Sequence, residues 1–330
     1  MRKITFKIKR FDGVDSWVQE YQFAYQPNKT LLWALSEIKE TLDPSLSFTA
    51  ACRHSICGAC AVRVHGQATL ACETTLDSLF KRWNSDTLFL EPLQNFPVIR
   101  DLVVDWEPKV DRIKKVKPWL IPKDEYTKET GCRQSPQEFK QINKNSDCIM
   151  CGCCASECSK LSTNGENFLE PFIFSKAQKF VADSRDQASL DRIIAAINHG
   201  AWMCQHCQEC VTKCPKGISS AEDISQLRQG AIIQGMTDNE GPRHAKAFLD
   251  DIQHTGRLNE AMMALKTEGL VKTMGNIPYA LRLFMKGKIQ PAHLFPKPID
   301  GVEEVRALIK SVKDAEAKGK VAKGNRGGAA

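Results

Sequence analysis

The chain has 330 residues, a formal net charge of +7, 42% hydrophobic residues and 14 cysteines. That length predicts about two domains, with about three possible, and enough apolar content for an ordinary core, which argues against a small secreted domain stapled by disulfides. No apolar run is long enough to cross a bilayer, no secretory h-region follows Met1 to Arg10, and the basic stretches at Lys109–Lys128 and beyond Lys310 lack the interleaved aromatics of a nucleic-acid surface.

In chain order, Ile4, Phe6 and Ile8 alternate with Thr5, Lys7 and Lys9, the period of a strand with one buried face. Tyr21 and Phe23 supply its hairpin partner after the Asp12-Gly13 turn. Thr30 is placed to cap a helix whose buried face is Leu31, Leu35, Ile38 and Leu42, ended by Pro44. Strand, strand, helix is the opening of a β-grasp. Cys52, Cys57, Cys60 and, after a hairpin around Gly66, Cys72 follow with the spacing C-x4-C-x2-C-x11-C. The first three match the plant-type 2Fe-2S loop, completed by a more distant cysteine. Gly58 lets the loop curl so that its N–H groups face the sulfurs. A four-cysteine zinc site is the bland alternative, but this is not the usual zinc knuckle. Thr87 to Leu90 gives a last strand, and the first domain is expected to end near Asp105.

Residues 106–147, rich in Lys and Pro, read as a connector with one short helix, and Cys132 within it as an unligated thiol. Two runs of C-x2-C-x2-C-x3-C come next: Cys148, Cys151, Cys154 and Cys158, then Cys204, Cys207, Cys210 and Cys214, closed by Pro215. This is the two-cluster ferredoxin spacing, in which the fourth cysteine of each run serves the cluster of the other. It predicts one 4Fe-4S centre on Cys148, Cys151, Cys154 and Cys214, and a second on Cys158, Cys204, Cys207 and Cys210, which becomes a 3Fe-4S centre if Cys207 is not a ligand. Zinc takes two C-x2-C pairs more often than a triplet plus an outlier repeated twice. Cys153 is off register and reads as a small packed residue.

Between the runs, Ala177, Phe180, Val181, Leu190, Ile193, Ile194 and Ile197 fall at helical spacing as core. His199 and His206 lie near the second run as candidate hydrogen-bond donors, or simply as satisfied histidines. Helical patterns continue through Ile224, Leu227 and Ile232, then Phe248, Leu249 and Ile252, then Leu281, Leu283 and Phe284, with Met262, Met263, Met274 and Met285. Such methionines suit a core first and a partner-binding face second. Gly319–Ala330 reads as a disordered tail. The fold expected is therefore α+β: a β-grasp 2Fe-2S ferredoxin domain over 1–105, the connector over 106–147, an α-helical two-cluster domain over 148–240, and a helical extension with its tail over 241–330.

This arrangement resembles the iron–sulfur subunit of succinate dehydrogenases and fumarate reductases over about residues 1–235. The residues that carry the resemblance are Cys52-Arg53, Ile56-Cys57-Gly58, Leu70-Ala71-Cys72, the stretch from Cys148 to Cys154, and Cys214-Pro215-Lys216-Gly217. The resemblance implies a flavoprotein partner whose covalent FAD interconverts succinate and fumarate, while this chain carries electrons between flavin and quinone. Two features depart from the common form. Its second run lacks the middle cysteine and holds a 3Fe-4S centre, whereas Cys207 fills that place here; Ser159, Lys160 and Leu161 also replace the Pro and Trp of the familiar quinone pocket. A helical extension follows about Gly235. Both features resemble a separate branch, found in archaea and some bacteria, that includes methylmenaquinol:fumarate and thiol:fumarate reductases. There the third subunit is a cysteine-rich protein like that of heterodisulfide reductase rather than a membrane anchor.

The function expected is an iron–sulfur electron-transfer subunit of a succinate:quinone or quinol:fumarate oxidoreductase. The alternative is the electron-transfer arm of a heterodisulfide or thiol:fumarate reductase, and a stand-alone ferredoxin-like carrier is a third reading. No catalytic side chain is expected here, because FAD on the partner does the substrate chemistry. The chain is expected to sit at the cytoplasmic face of the inner membrane, or at the periplasmic face if co-exported with the flavoprotein, with no membrane span of its own and no nucleic-acid partner.

Overall fold

Ile4, Phe6 and Ile8 each have no exposed surface, and their alternation with polar neighbours folds Lys3–Phe11 into strand β1. The computed structural model describes residues 2–288 and 296–324. Strand β2, Ser16–Ala24, returns antiparallel with Tyr21 opposite Phe6 and Phe23 opposite Ile4. Helix α1, Leu31–Glu37, starts where the Thr30 hydroxyl accepts the Trp33 N–H at 3.2 Å. A hairpin of β3 (Ala61–Val64) and β4 (Gln67–Leu70), helix α2 (Leu76–Trp83) and strand β5 (Thr87–Glu91) complete a five-stranded sheet in the order β2-β1-β5-β3-β4. Strand β5 lies parallel to β1, so the first and last strands meet at the centre, as in a β-grasp. The ribbon of β6 (Val98–Arg100) and β7 (Val103–Val104) follows.

One expectation on α1 is corrected. Leu31, Leu35 and Ile38 are buried, but Leu42 is 47% exposed. The helix passes into a π turn over Ile38–Leu42, closed by the Asp43 N–H donating to the Ile38 carbonyl at 2.8 Å. The extra residue in that turn shifts the helical phase and carries Leu42 out of the core.

The stretch after Asp105 is more helical than its sequence suggests: α3 (Glu107–Ile113), a 3-10 turn (Lys114–Val116), α4 (Pro136–Phe139) and α5 (Asn143–Ser146). Nor is all its charge on the surface. Lys109 is buried, with its ammonium 2.8 Å from the buried carboxylate of Glu170, which Arg112 approaches at 3.3 Å. Two opposed cations offset the cost of burying that carboxylate.

The cysteine-bearing part is helical: α6 (Cys153–Ser156), α7 (Ser159–Asn164), α8 (Pro171–Val181), α9 (Ser189–Asn198), α10 (Glu209–Thr212) and α11 (Ser220–Ile233). Ala177 and Phe180 on α8 and Ile193 on α9 are core, as their spacing predicts. Leu190 and Ile194 are not, at 46% and 40% exposed. Their place on the inner face of α9 is taken by Arg192, which is fully buried and pairs with the fully buried Asp186. Its guanidinium also donates to the carbonyls of Val116 (3.1 Å), Lys117 (3.1 Å) and Trp119 (2.7 Å). A period count that scores arginine as polar assigns α9 to the wrong phase.

Residues up to Ala231 form one compact unit and those from Ile232 another. In the second, α12 (Glu240–Thr255) buries Pro242, Ala247 and Asp251 rather than Phe248 and Leu249, which are 46% and 42% exposed. The Asp251 carboxylate accepts the Asn259 N–H and pairs with Lys266, so polar anchoring sets the inward face of α12. Helices α13 (Glu260–Glu268), α14 (Leu270–Gly275) and α15 (Ile277–Met285) follow. Met274, Leu281, Phe284 and Met285 lie outward, all more than half exposed, so a core role for this stretch is corrected to a surface one. Part of the expected disordered tail is also corrected. A helix spans Val302–Gly324, rich in Ala, Lys and Glu, which are strong helix formers; 325–330 lie outside the described residues.

Candidate metal centres

In the loop after α1, Arg53 and Ser55 both take φ +58°, and Gly58 takes φ +74°. Left-handed backbone at two non-glycine residues is unfavourable on its own, and here it turns a row of N–H groups toward sulfur. The Cys52 Sγ accepts from His54 (3.4 Å), Ile56 (3.3 Å) and Cys57 (3.3 Å), and the Cys72 Sγ from Ser55 (3.2 Å). The Cys60 Sγ accepts from the Cys72 N–H at 3.4 Å. The donors around Cys52 bring its thiol down to about 6, whereas burial pushes Cys60 up to about 12. A buried thiolate of the second kind is stable only against a nearby positive charge, which iron supplies. Cys57 is exposed, and so is Ile56 beside it, so one side of the loop is open to solvent.

Two cavities occupy the helical part. The first is lined by Cys148, Cys151, Cys154 and Cys214 together with Ile149, Phe172 and Ile218. Met150 (φ +50°) and Gly152 (φ +83°) bend the chain around it, and the Ile218 N–H donates to the Cys214 Sγ at 3.3 Å. The second is lined by Cys158, Cys204, Cys207 and Cys210 together with Phe168, Pro171 and Ile224. Ser159 and Lys160 also reach its wall. Each cavity thus gathers three cysteines of one run and the fourth of the other, with apolar walls. Burial raises Cys154 well above the ordinary thiol range and pushes Cys210 up to about 12. Four sulfur donors gathered around an apolar-walled space fit an iron–sulfur cluster in each cavity.

The remaining candidates divide. Cys153 is fully buried in α6, whereas Cys132 is half-buried in the connector, where its carbonyl accepts from Arg185 at 3.2 Å. The His199 ring is engaged with the Ala195 carbonyl at 2.8 Å. His206 reaches the second set through its backbone, whose N–H lies 3.5 Å from the Cys204 Sγ, while its ring Nε2 is 2.6 Å from Arg228. Burial, and then the Arg228 charge, lower the imidazole pKa, so its neutral form accepts from the guanidinium. Arg228 also donates to the carbonyls of Ala201 (2.9 Å) and Cys204 (2.7 Å), pinning the loop that carries the second run. Sequence reasoning misses Arg228, because it lies on α11 beyond every motif, and helical spacing alone marks it as an outward-facing base.

A β-grasp domain with four clustered cysteines, joined to a helical part with two four-cysteine cavities, defines an iron–sulfur electron carrier. Residues 5–111 match the family described as a 2Fe-2S iron–sulfur cluster binding domain, and residues 144–218 match a 4Fe-4S dicluster domain. The chain is 45% identical to the 8-methylmenaquinol:fumarate reductase iron–sulfur subunit of Wolinella succinogenes, over 94% of this chain and 99% of that one. It is 37% identical to a fumarate reductase iron–sulfur subunit of Mycobacterium tuberculosis, over 72% and 96%, and 32% identical to a succinate dehydrogenase iron–sulfur subunit of Coxiella burnetii, over 68% and 95%. Among solved structures, a chain of the Mycobacterium smegmatis Sdh1 complex shares the fold, with a TM-score of 0.64 at 20% identity over 70% of this chain and 96% of that one. The chain belongs to the family of iron–sulfur subunits of fumarate reductases and succinate dehydrogenases.

Proposed function

We propose that this chain is the electron-transfer subunit of a fumarate reductase or succinate dehydrogenase complex, carrying electrons between an FAD flavoprotein and a third subunit. When bound, its three clusters supply one-electron redox steps. The residues of the chain ligate, space and insulate them. Cys52, Cys57, Cys60 and Cys72 hold the 2Fe-2S centre. Cys148, Cys151, Cys154 and Cys214 hold the first 4Fe-4S centre, and Cys158, Cys204, Cys207 and Cys210 the second. The observation that carries this reading is the sorting of the eight cysteines of the two runs into two cavities, each with three from one run and one from the other. The domain plan that follows is a 2Fe-2S domain over 1–105, a connector over 106–147, a two-cluster domain over 148–240 and an extension beyond.

The third subunit is a cysteine-rich protein of the heterodisulfide reductase kind rather than a membrane anchor. Two observations support this. The Wolinella relative matches nearly the whole chain, while the shorter relatives match 72% of it or less. Helices α14 and α15 also present Leu270, Val271, Met274, Ile277, Phe284 and Met285 outward, an apolar surface suited to a protein partner. Among the described residues no helix is long and apolar enough to cross a membrane, so the chain reaches the membrane through its partners, at the cytoplasmic face, or at the periplasmic face by co-export with the flavoprotein.

Iron analysis of the complex purified without oxygen tests the ligand counts. About ten irons per copy of this chain are expected, two from the plant-type centre and eight from two cubes. About nine, with a 3Fe-4S signal in anaerobic enzyme, would remove Cys207 from the ligand set.

A further inference from the structure

Gly58 sits where the loop of the 2Fe-2S domain meets the first cysteine run. A β-carbon built on it would lie 2.8 Å from both Cα and Cβ of Cys151 and 3.0 Å from the Ile149 carbonyl oxygen. Carbon atoms in ordinary contact are about 3.5–4.0 Å apart, so no side chain fits in that space. The neighbouring residue of Cys151 is held as closely from another side. A β-carbon on Gly152 would meet the Phe96 ring at 2.8 Å and the Trp106 ring at 3.0 Å. The backbone at Cys151 and Gly152 is therefore packed between Gly58 and two aromatic rings.

Polar contacts around the junction fix the two parts in register. Arg63 on β3 lies 3.1 Å from the Glu157 carboxylate, which also accepts the Ala68 N–H at 3.2 Å. The Asn95 amide donates to the Ala155 carbonyl at 2.9 Å, and Lys213 to the Gln67 amide oxygen at 3.0 Å. Conformation alone does not account for the glycine. Gly66 has the same φ of +74°, yet its nearest neighbour is the flexible end of Arg63 at 3.4 Å.

We propose that Gly58 is a positioning residue for electron transfer: its missing side chain seats the 2Fe-2S loop on Cys151, and this backbone contact sets the spacing across which electrons pass between the two cysteine sets. One electron leaves one centre as the other gains it, with no proton moved and no bond made. The inference rests on the ligand reading above. Within it, the role of Gly58 is to keep the path short, because tunnelling falls off exponentially with the distance between centres.

The test uses the purified complex carrying Gly58→Ala, with Gly131→Ala, at φ +61° and with nothing within 4 Å of its built β-carbon, as the control that shares the backbone penalty without the collision. For each, iron content, the midpoint potential of every centre, the electron-transfer rate between 2Fe-2S and first 4Fe-4S centres by freeze-quench EPR, and the spin-relaxation enhancement of the reduced 2Fe-2S signal by its reduced neighbour are measured. Gly58→Ala is expected to lower both the rate and the relaxation enhancement several-fold at unchanged iron content and potentials. Gly131→Ala is expected to leave all of them at wild-type values. Wild-type rate and relaxation in a fully loaded Gly58→Ala complex would overturn the proposal. Where Gly58→Ala does not assemble, Arg63→Gln loosens the same junction from a distance. It is expected to weaken the relaxation enhancement, and an unchanged enhancement there would overturn the proposal. Absence of the 2Fe-2S or first 4Fe-4S signal from the wild-type complex would instead sink the ligand reading itself.

Discussion

Replacing Cys207 by serine is expected to remove one iron from the second 4Fe-4S centre and leave a 3Fe-4S centre or a labile cube. Cys207 is the exposed member of its set, 3.9 Å from the Ser159 hydroxyl, whereas Cys158 and Cys210 are buried. The wall around the other three sulfurs therefore stays intact when it is lost. Three thiolates and a hard alkoxide donor hold three irons better than four. Losing a thiolate also changes the charge on the centre, so its potential should move within the roughly −700 to +450 mV span of such clusters. Turnover with quinone or thiol is expected to fall at least as far as the roughly 10- to 100-fold loss that outer-shell changes cause at metal sites. Fumarate reduction with an artificial donor acting at the flavin should persist. The spectrum of oxidised mutant against oxidised wild type checks this. A 3Fe-4S signal already at full intensity in anaerobic wild type, unchanged by the substitution, would make Cys207 a bystander.

The largest expected loss of stability comes from Arg192→Met. It leaves Asp186 buried without its cation and strips the Val116, Lys117 and Trp119 carbonyls of a donor. Breaking a buried pair from one side costs about 3–5 kcal/mol. Lys117→Gln, which removes the pair with Asp191 at 2.7 Å between two well-exposed side chains, is worth about 0–1 kcal/mol by comparison. Heating the complex while following the visible absorbance of its clusters compares the two. Arg192→Met should bleach at a clearly lower temperature and Lys117→Gln close to wild type; coincident curves would show that the buried pair is not holding α9 in place.

What the sequence made legible is what depends on local spacing. The alternation in Lys3–Phe11, the Thr30 cap and the Gly66 hairpin all follow from residues within a few positions of one another, and the spacing inside each cysteine run is local in the same way. What it concealed depends on partners distant in the chain. Arg192 reads as surface until the Val116, Lys117 and Trp119 carbonyls are placed around it, and Lys109 until Glu170 is. Leu42 reads as core because a helical count assumes an unbroken α-helix, and the π turn breaks that count. Gly58 reads as a loop-forming glycine, and its neighbour Cys151 appears only once the two parts are docked. In the extension, the apolar residues of α14 and α15 lie outward, and periodicity alone does not tell an inward face from an outward one.

The crossing of Cys158 and Cys214 has a topological consequence. With Cys154 and Cys214 on one cavity and Cys158 and Cys204 on the other, the proposed clusters would close the segment between the runs into two loops, 158–204 nested in sequence within 154–214. Each inorganic core, held as proposed, would act as a cross-link whose benefit, as for any closed loop, lies in the freedom it removes from the open chain. A protease nick anywhere between residues 159 and 203 would leave two peptides still fastened to each other at both cores. Only stripping the iron would let them part.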